Sequence, residues 1–231
     1  MGGINVKNTI VEALMQKVAP HPCFGCGKIG TPLCPNCKYN IINDPFLGCI
    51  LCGKASREGL CVDHDVPICK AWVISERVTV LRRVIDAYKF EYVKAASHSL
   101  IDLLDEYLPI LPSNTLIVPI PTASSHVRQR GYDHINILAR LLAIRRELPV
   151  TYLLERTSVK SQHELNKVER QDEAQRAFRV PKGMYVDAAT PLLLLDDIIT
   201  TGSTVSSASK ALAAAGAQQI FVAALAYQPL D

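Results

Sequence analysis

The chain has 231 residues, of which 48% are hydrophobic and 20% charged, with eight cysteines and a formal net charge of +3. That apolar fraction suffices for one sizeable core plus a small appended module, which excludes a disordered or low-complexity polypeptide. No run approaches about 18 consecutive apolar residues, and the N-terminus lacks a basic stretch followed by an apolar stretch and a small-residue cleavage pattern, so no membrane insertion and a cytoplasmic location are expected.

In chain order, a short amphipathic helix is expected over 10–18, closed by Pro20 and Pro22. All eight cysteines then fall between Cys23 and Cys69. Their grouping as Cys-x-x-Cys pairs points to metal in a reducing compartment more than to disulfides. Two units align: Cys23, Cys26, Cys34 and Cys37, then Cys49, Cys52, Cys61 and His64, each opening Cys-x-x-Cys-Gly-Lys. Four soft or borderline donors per unit suit tetrahedral zinc, and with every position filled by protein both sites read as structural. Cys69 competes with His64 as the fourth ligand of the second unit; His64 is preferred, with Cys69 otherwise a small buried hydrophobe. Residues 1–70 hold seven lysines and arginines against five acids. Two loaded zinc sites would turn that excess into about −1, so the module does not read as a cationic finger.

A strand is expected over 72–80, helices over 81–88 and 95–107, a break at Pro109 to Pro112, and a strand near Leu116. Arg128 and Arg130 follow that strand and precede Gly131-Tyr132, which places them in a strand-to-helix connection at the ligand edge of an α/β sheet. A helix is expected over 134–146, with Arg140, Arg145 and Arg146 on its solvated face. A strand is expected over 150–154. Residues 156–181 are polar and charged without a sustained apolar face, a composition that fits a lid, with Lys160, Gln162 and Arg170 as candidate contacts.

The stretch Leu192 to Thr204, LLLLDDIITTGST, carries the most information. An all-apolar run before a polar turn suits a strand covered on both faces, and it brings Asp196 and Asp197 to the carboxyl edge of a parallel sheet. Carboxylates there accept hydrogen bonds from vicinal hydroxyls. Thr200, Thr201, Gly202, Ser203 and Thr204 offer hydroxyls and approachable amides at the start of a helix expected over 205–215, where a phosphate sits well. A last strand is expected over 220–226. The alternation of strand and helix indicates a parallel, right-handed α/β sheet.

DDIITTGST resembles the phosphoribosyl pyrophosphate (PRPP) motif of type I phosphoribosyltransferases. With the paired cysteines, Tyr88-Lys89-Phe90, Val118-Pro-Ile-Pro121, Arg130-Gly131-Tyr132 and the segment bearing Gln162, Leu165, Arg170 and Ala177-Phe178, the chain resembles the ComF family. That resemblance implies an α/β, phosphoribosyltransferase-like domain over 71–231, a double zinc-binding module over 21–70 and the N-terminal helix within 1–20. It implies that Asp196 and Asp197 hold the ribose hydroxyls, that Thr200 to Thr204 hold the 5′-phosphate, that Lys89 joins the PRPP site, and that Arg128 and Arg130 neutralise the departing pyrophosphate. Mg would accompany PRPP. The implied chemistry is transfer of a phosphoribosyl group to an acceptor, tied to competence and DNA uptake; the alternative is a factor that binds PRPP or a nucleotide without turnover and handles single-stranded DNA alongside the competence machinery. Two departures stand out. Asp133-His134 replaces the usual Asn-Gln after the Arg-Gly-aromatic triplet, and Asp172-Glu173 occupies the neighbourhood of an Asn common before Ala-Phe.

Overall fold

A computed structural model describes residues 20–91, 93, 95–157 and 177–229. The helix expected over 10–18 and the lid candidates Lys160, Gln162 and Arg170 lie outside the described residues.

The architecture is mixed α/β, built on a four-stranded sheet in which β3 (Lys70–Glu76), β8 (Ile220–Tyr227), β7 (Leu192–Ile199) and β4 (Leu116–Pro119) lie side by side in that order. Every neighbouring pair is parallel. The central strand β7 explains why: Leu192 to Leu195 are all fully buried. A strand with no polar face must be covered on both sides, and helical crossovers supply that cover. Successive side chains on a strand point to opposite faces, and the core divides accordingly. Leu193, Leu195 and Leu225 share one cluster with α2 (Thr79–Phe90), α3 (Ala96–Tyr107) and α5 (His134–Arg146). Leu192, Leu194, Ile220 and Val222 share the other with α6 (Ser203–Ala214).

Each covering helix shows the stripe that this placement needs. In α2 the buried residues are Leu81, Val84, Ile85, Ala87 and Tyr88, neighbours at three- and four-residue spacing. In α5 they are His134, Ile135, Leu138, Ala139 and Leu142. A short helix, α4 (Ser124–Arg130), follows β4 and is closed by Gly131 at φ 73°, the left-handed conformation that ends helices and that glycine adopts without strain.

Two expectations are corrected here. The stretch 150–154 is not a strand: it meets the sheet only through a single parallel bridge from Ile117 to Val150, and the chain next forms a two-residue antiparallel pair, β5 (Glu155–Arg156) with β6 (Phe178–Arg179). Ile117 N–H donates to the Pro149 carbonyl and Thr151 N–H to the Ile117 carbonyl, both at 2.9 Å; the next rung would need an N–H from residue 119, which is the proline that ends β4, so a longer ladder does not form. Strand β7 also runs through both aspartates to Ile199 instead of ending at Leu195, because Asp196, Ile198 and Ile199 all keep partners on β8.

The cysteine-rich segment contributes a short hairpin of β1 (His21–Pro22) with β2 (Ile29–Gly30) and the helix α1 (Pro35–Ile42). It is welded to the sheet through apolar side chains. Leu33 and Ile41 enter one core cluster, Ile50 and Ile68 the other. Among the described residues no helix is long and apolar enough to cross a membrane.

Candidate functional site

Because β7 alternates, its two aspartates part. Asp197 has the parity of Leu195 and faces the helices α2 and α5. There its Oδ2 lies 2.6 Å from Lys89 Nζ and 2.8 Å from His134 Nε2. Lys89 sits in the last turn of α2, where a cation also complements the helix dipole. His134 opens α5 and is 4% exposed; Asp133 before it caps the helix by accepting from the Asn136 amide at 3.2 Å and also accepts from the Thr122 hydroxyl at 3.2 Å. Arg130 Nη1 lies 3.0 Å from His134 Nδ1. A guanidinium can only donate, which assigns Nδ1 as the acceptor and leaves Nε2–H to donate to Asp197. The Tyr88 hydroxyl closes this corner by donating to the His134 carbonyl at 2.8 Å.

Asp196 has the parity of Leu194 and stands partly exposed at the floor of a cleft of about 220 Å³. Lys89, Thr122, Arg130, His134, Arg156 and Thr204 are among the residues that line it. The electrostatics separate the pair. Burial pushes the Asp196 carboxyl up from 3.8 to about 8, and the charge of Asp197 beside it adds to the rise. Burial works against ionisation of Asp197 too, but the hydrogen bond from His134 and the charge of Lys89 overcome it and hold that carboxyl well below its usual range. Two adjacent acids, one buried and one largely shielded from water, cannot both ionise without compensation, and here the anchored one takes the charge. The cleft walls carry two arginines laid on aromatic rings: Arg130 over Phe90 at 5.2 Å and Arg156 over Phe178 at 5.0 Å, the latter also donating Nε to the Pro121 carbonyl at 3.0 Å. Asp196 Oδ1 accepts from the Asp197 amide at 2.9 Å, and a site with this carboxyl at its floor, hydroxyls and fixed cations is fitted to a polyhydroxy anion.

The expected loop residues divide between two openings. Thr204 faces the aspartates, while Thr201 and Ser203 line a wider opening shared with Leu51 and His64 of the second cysteine unit. Thr200 is exposed, and Gly202, at φ 68°, is the residue on which α6 starts. The two arginines also part: Arg130 lines the cleft, whereas Arg128 is exposed on α4 and is not among the lining residues. The sequence reading did not select His134, Arg156 and Thr122. His134 had a signal, since it departs from the family pattern beside the Arg-Gly-Tyr block. Arg156 and Thr122 had none, because their place depends on how the segments after β4 and before β6 fold back together.

The cysteines form two clusters. Donor atoms of Cys23, Cys26, Cys34 and Cys37 all lie within 4.8 Å of one another, as do those of Cys49, Cys52, Cys61 and His64. Cys69 is elsewhere, exposed, with its thiol toward the Gln218 carbonyl at 3.7 Å. The donor chemistry fits zinc. Burial would raise the Cys23 thiol, yet backbone amides of Cys34, Cys26 and Gly25 lower it to about 6, whereas burial and its thiol neighbours push Cys37 up to about 12. Grouped thiolates repel one another unless a cation sits among them. In the second cluster His64 Nε2 is buried without a hydrogen-bond partner, as a nitrogen meant for a metal would be. Both groups can hold zinc.

No family model matches the chain. Solved structures with a similar arrangement include an adenine phosphoribosyltransferase from Thermoanaerobacter pseudethanolicus (13% identical, TM-score 0.37, covering 63% of this chain and 74% of that one). Another is the adenine phosphoribosyltransferase of Trypanosoma brucei in complex with AMP, pyrophosphate and ribose-5-phosphate (13%, TM-score 0.39, 67% and 70%). In sequence, the chain is similar to competence protein F of Haemophilus influenzae, 26% identical over 209 residues that span 84% of this chain and 90% of the relative, which extends the resemblance to the ComF family along most of both molecules.

Proposed function

We propose that the cleft at the carboxyl end of β7 binds PRPP and that the chain transfers its phosphoribosyl group to an acceptor. The observation that carries this reading is the convergence of Asp196, Asp197, Lys89, Arg130, Arg156 and Thr204 on one opening at the ligand edge of a parallel sheet. Asp196 faces the ribose diol. Asp197 acts from behind, keeping Lys89 and His134 in place, and Thr200 to Thr204 receive the 5′-phosphate at the start of α6. Arg130 and Arg156 stand where the diphosphate leaves, with Arg128 further out on the same connection. Charge developing on the sugar and on the leaving diphosphate is met by groups already fixed in position, which lowers the barrier without reorganisation. Mg arriving with PRPP would neutralise the diphosphate and allow Asp196 to ionise, and the hard oxygen donors of the cleft suit it.

The test is a pyrophosphate-release screen across nucleobases and amines, run beside calorimetric titration with PRPP and Mg. PRPP binding that is lost in Asp196→Asn/Asp197→Asn supports the site, and undiminished binding in that variant overturns it. Similarity to competence protein F favours a second reading, in which the chain binds PRPP without turnover and handles single-stranded DNA during DNA uptake. Tight PRPP binding with no pyrophosphate release from any acceptor would favour it. So would DNA affinity that falls steeply with salt and with loss of the exposed Arg128.

A further inference from the structure

The loop after β7 has a second neighbour besides the cleft. At Gly202 an added Cβ would lie 2.3 Å from Leu51 Cδ2 and 2.7 Å from the Ile50 carbonyl oxygen. The loop backbone therefore rests directly on the turn between Cys49 and Cys52. That turn is itself well fixed. Ile50 is fully buried in the core cluster that holds Ile199 and Val205, the residues on either side of the loop. Cys49 N–H donates to Lys54 at 2.7 Å, Gly53 N–H to Cys49 at 2.8 Å, and Ile50 N–H to Gly59 at 2.9 Å. The same turn also braces the end of β8: a Cβ at Gly53 would lie 3.3 Å from the Tyr227 hydroxyl, and Tyr227 stacks on Phe46 at 4.2 Å while pairing with Ile199.

The first cysteine unit has no such relation to the loop. Phe24 joins the opposite core cluster, and Gly25 abuts Cys37 and Val80. The two units repeat in sequence but brace different parts of the molecule.

Resting on the PRPP-binding reading, we propose that Leu51 is a positioning residue for the phosphate-gripping loop, and that the second cysteine unit, not the first, is thereby coupled to affinity for a 5′-phosphate. Thr200, Thr201 and Ser203 are exposed, and the side-chain bonds of the loop are local: the Thr201 hydroxyl donates to the Ser203 hydroxyl at 2.9 Å and accepts from the Ser203 amide at 3.3 Å, which shapes the turn but does not tie it to the rest of the molecule. Its amides and hydroxyls keep one curvature because Gly202 lies on a floor made by Leu51 and the Ile50 carbonyl. The floor keeps its shape because Cys49, Cys52, Cys61 and His64 are gathered on one point. Fixing the loop before the ligand arrives removes an ordering cost from binding.

The test uses the full-length, zinc-loaded chain, titrated by calorimetry with PRPP and Mg and, separately, with ribose 5-phosphate. Leu51→Ala is expected to bind both about tenfold more weakly, a loss of about 1.4 kcal/mol, while keeping two zinc ions per chain. Leu51→Met is expected to restore affinity, and Phe24→Ala in the first unit to bind as the parent does. Parent-like binding by Leu51→Ala overturns the proposal. So does an equal loss in Phe24→Ala, which would signal general loosening. If Leu51→Ala does not fold, Leu51→Val replaces it, with a smaller loss expected and parent-like affinity again decisive against. A parent that binds neither ligand overturns the PRPP reading instead. The coupling is then read from amide hydrogen exchange at 200–204, which Leu51→Ala must accelerate and Phe24→Ala must not.

Discussion

Asp196 and Asp197 are adjacent in the chain yet lie in different media. Asp197 is an internal anchor: Lys89 and His134 together keep it ionised, so its contribution to stability is present above the ordinary carboxylate pKa of 3.8 and is lost as the pH falls below that value. Asp196 has the opposite sign. With its carboxyl raised from 3.8 to about 8, the folded chain keeps a proton that the unfolded chain has released. Folding is thus favoured most below 3.8, and the contribution is lost as the pH rises toward 8. Asn in its place carries no such penalty. Asp196→Asn is expected to be more stable than the parent to urea, by a gap that widens on the order of 1 kcal/mol per pH unit between pH 6 and 8, while PRPP binding is lost. A gap that does not change with pH would mean that Asp196 is already ionised in the folded chain. On the PRPP-binding proposal, Asp196 would be a functional carboxyl kept at a cost to stability, as sites built for a charged ligand tend to be.

At the scale of elements, the cysteine units show what a repeat in sequence does and does not establish. Ligand spacing alone gathers each unit, because a Cys-x-x-Cys turn brings two thiols together wherever it occurs. The competition between His64 and Cys69 is a matter of tertiary structure. Cys69 immediately precedes β3, and its backbone amide donates to Ile220 at 2.7 Å, which holds its side chain near Gln218, away from the other three thiols. Zinc counting on purified protein is expected to give two ions per chain for the parent and for Cys69→Ala, but one for His64→Ala. Loss of an ion in Cys69→Ala with two retained in His64→Ala would reverse the assignment. The strand expected over 150–154 fails for a related reason: apolar residues at the edge of a sheet satisfy a pattern whether or not a partner has free backbone groups to pair with, and here one bridge to Ile117 is all that forms.

At the scale of the molecule, the sheet places both core clusters, the paired aspartates and the loop so that a ligand in the cleft would touch β7, α2, α5 and the start of α6 together. Binding at that junction should stabilise the whole chain. At PRPP and Mg concentrations about a hundredfold above Kd, the linkage is about 2.7 kcal/mol, or on the order of 5–10 °C in Tm for a chain of this size. Thermal scanning is expected to show that rise in the parent and none in Asp196→Asn/Asp197→Asn. A flat parent curve would sink the PRPP reading. The parallel sheet, the covering helices, the grouping of cysteines and the acidic pair following a buried apolar run were legible in the sequence, because each follows from local periodicity or from spacing shorter than a single element; the continuation of β7 through that pair to Ile199 was not. What only the tertiary structure decided is which groups meet across elements. It gave Asp197 to Lys89 and His134, brought Arg156 into the cleft where Arg128 is exposed outside it, and seated Gly202 on Leu51. These contacts cross many positions of the chain, 35 between Arg156 and Pro121 and 63 between His134 and Asp197, and no local preference encodes them; they arise when burial of the two faces of β7 fixes where every covering element must lie.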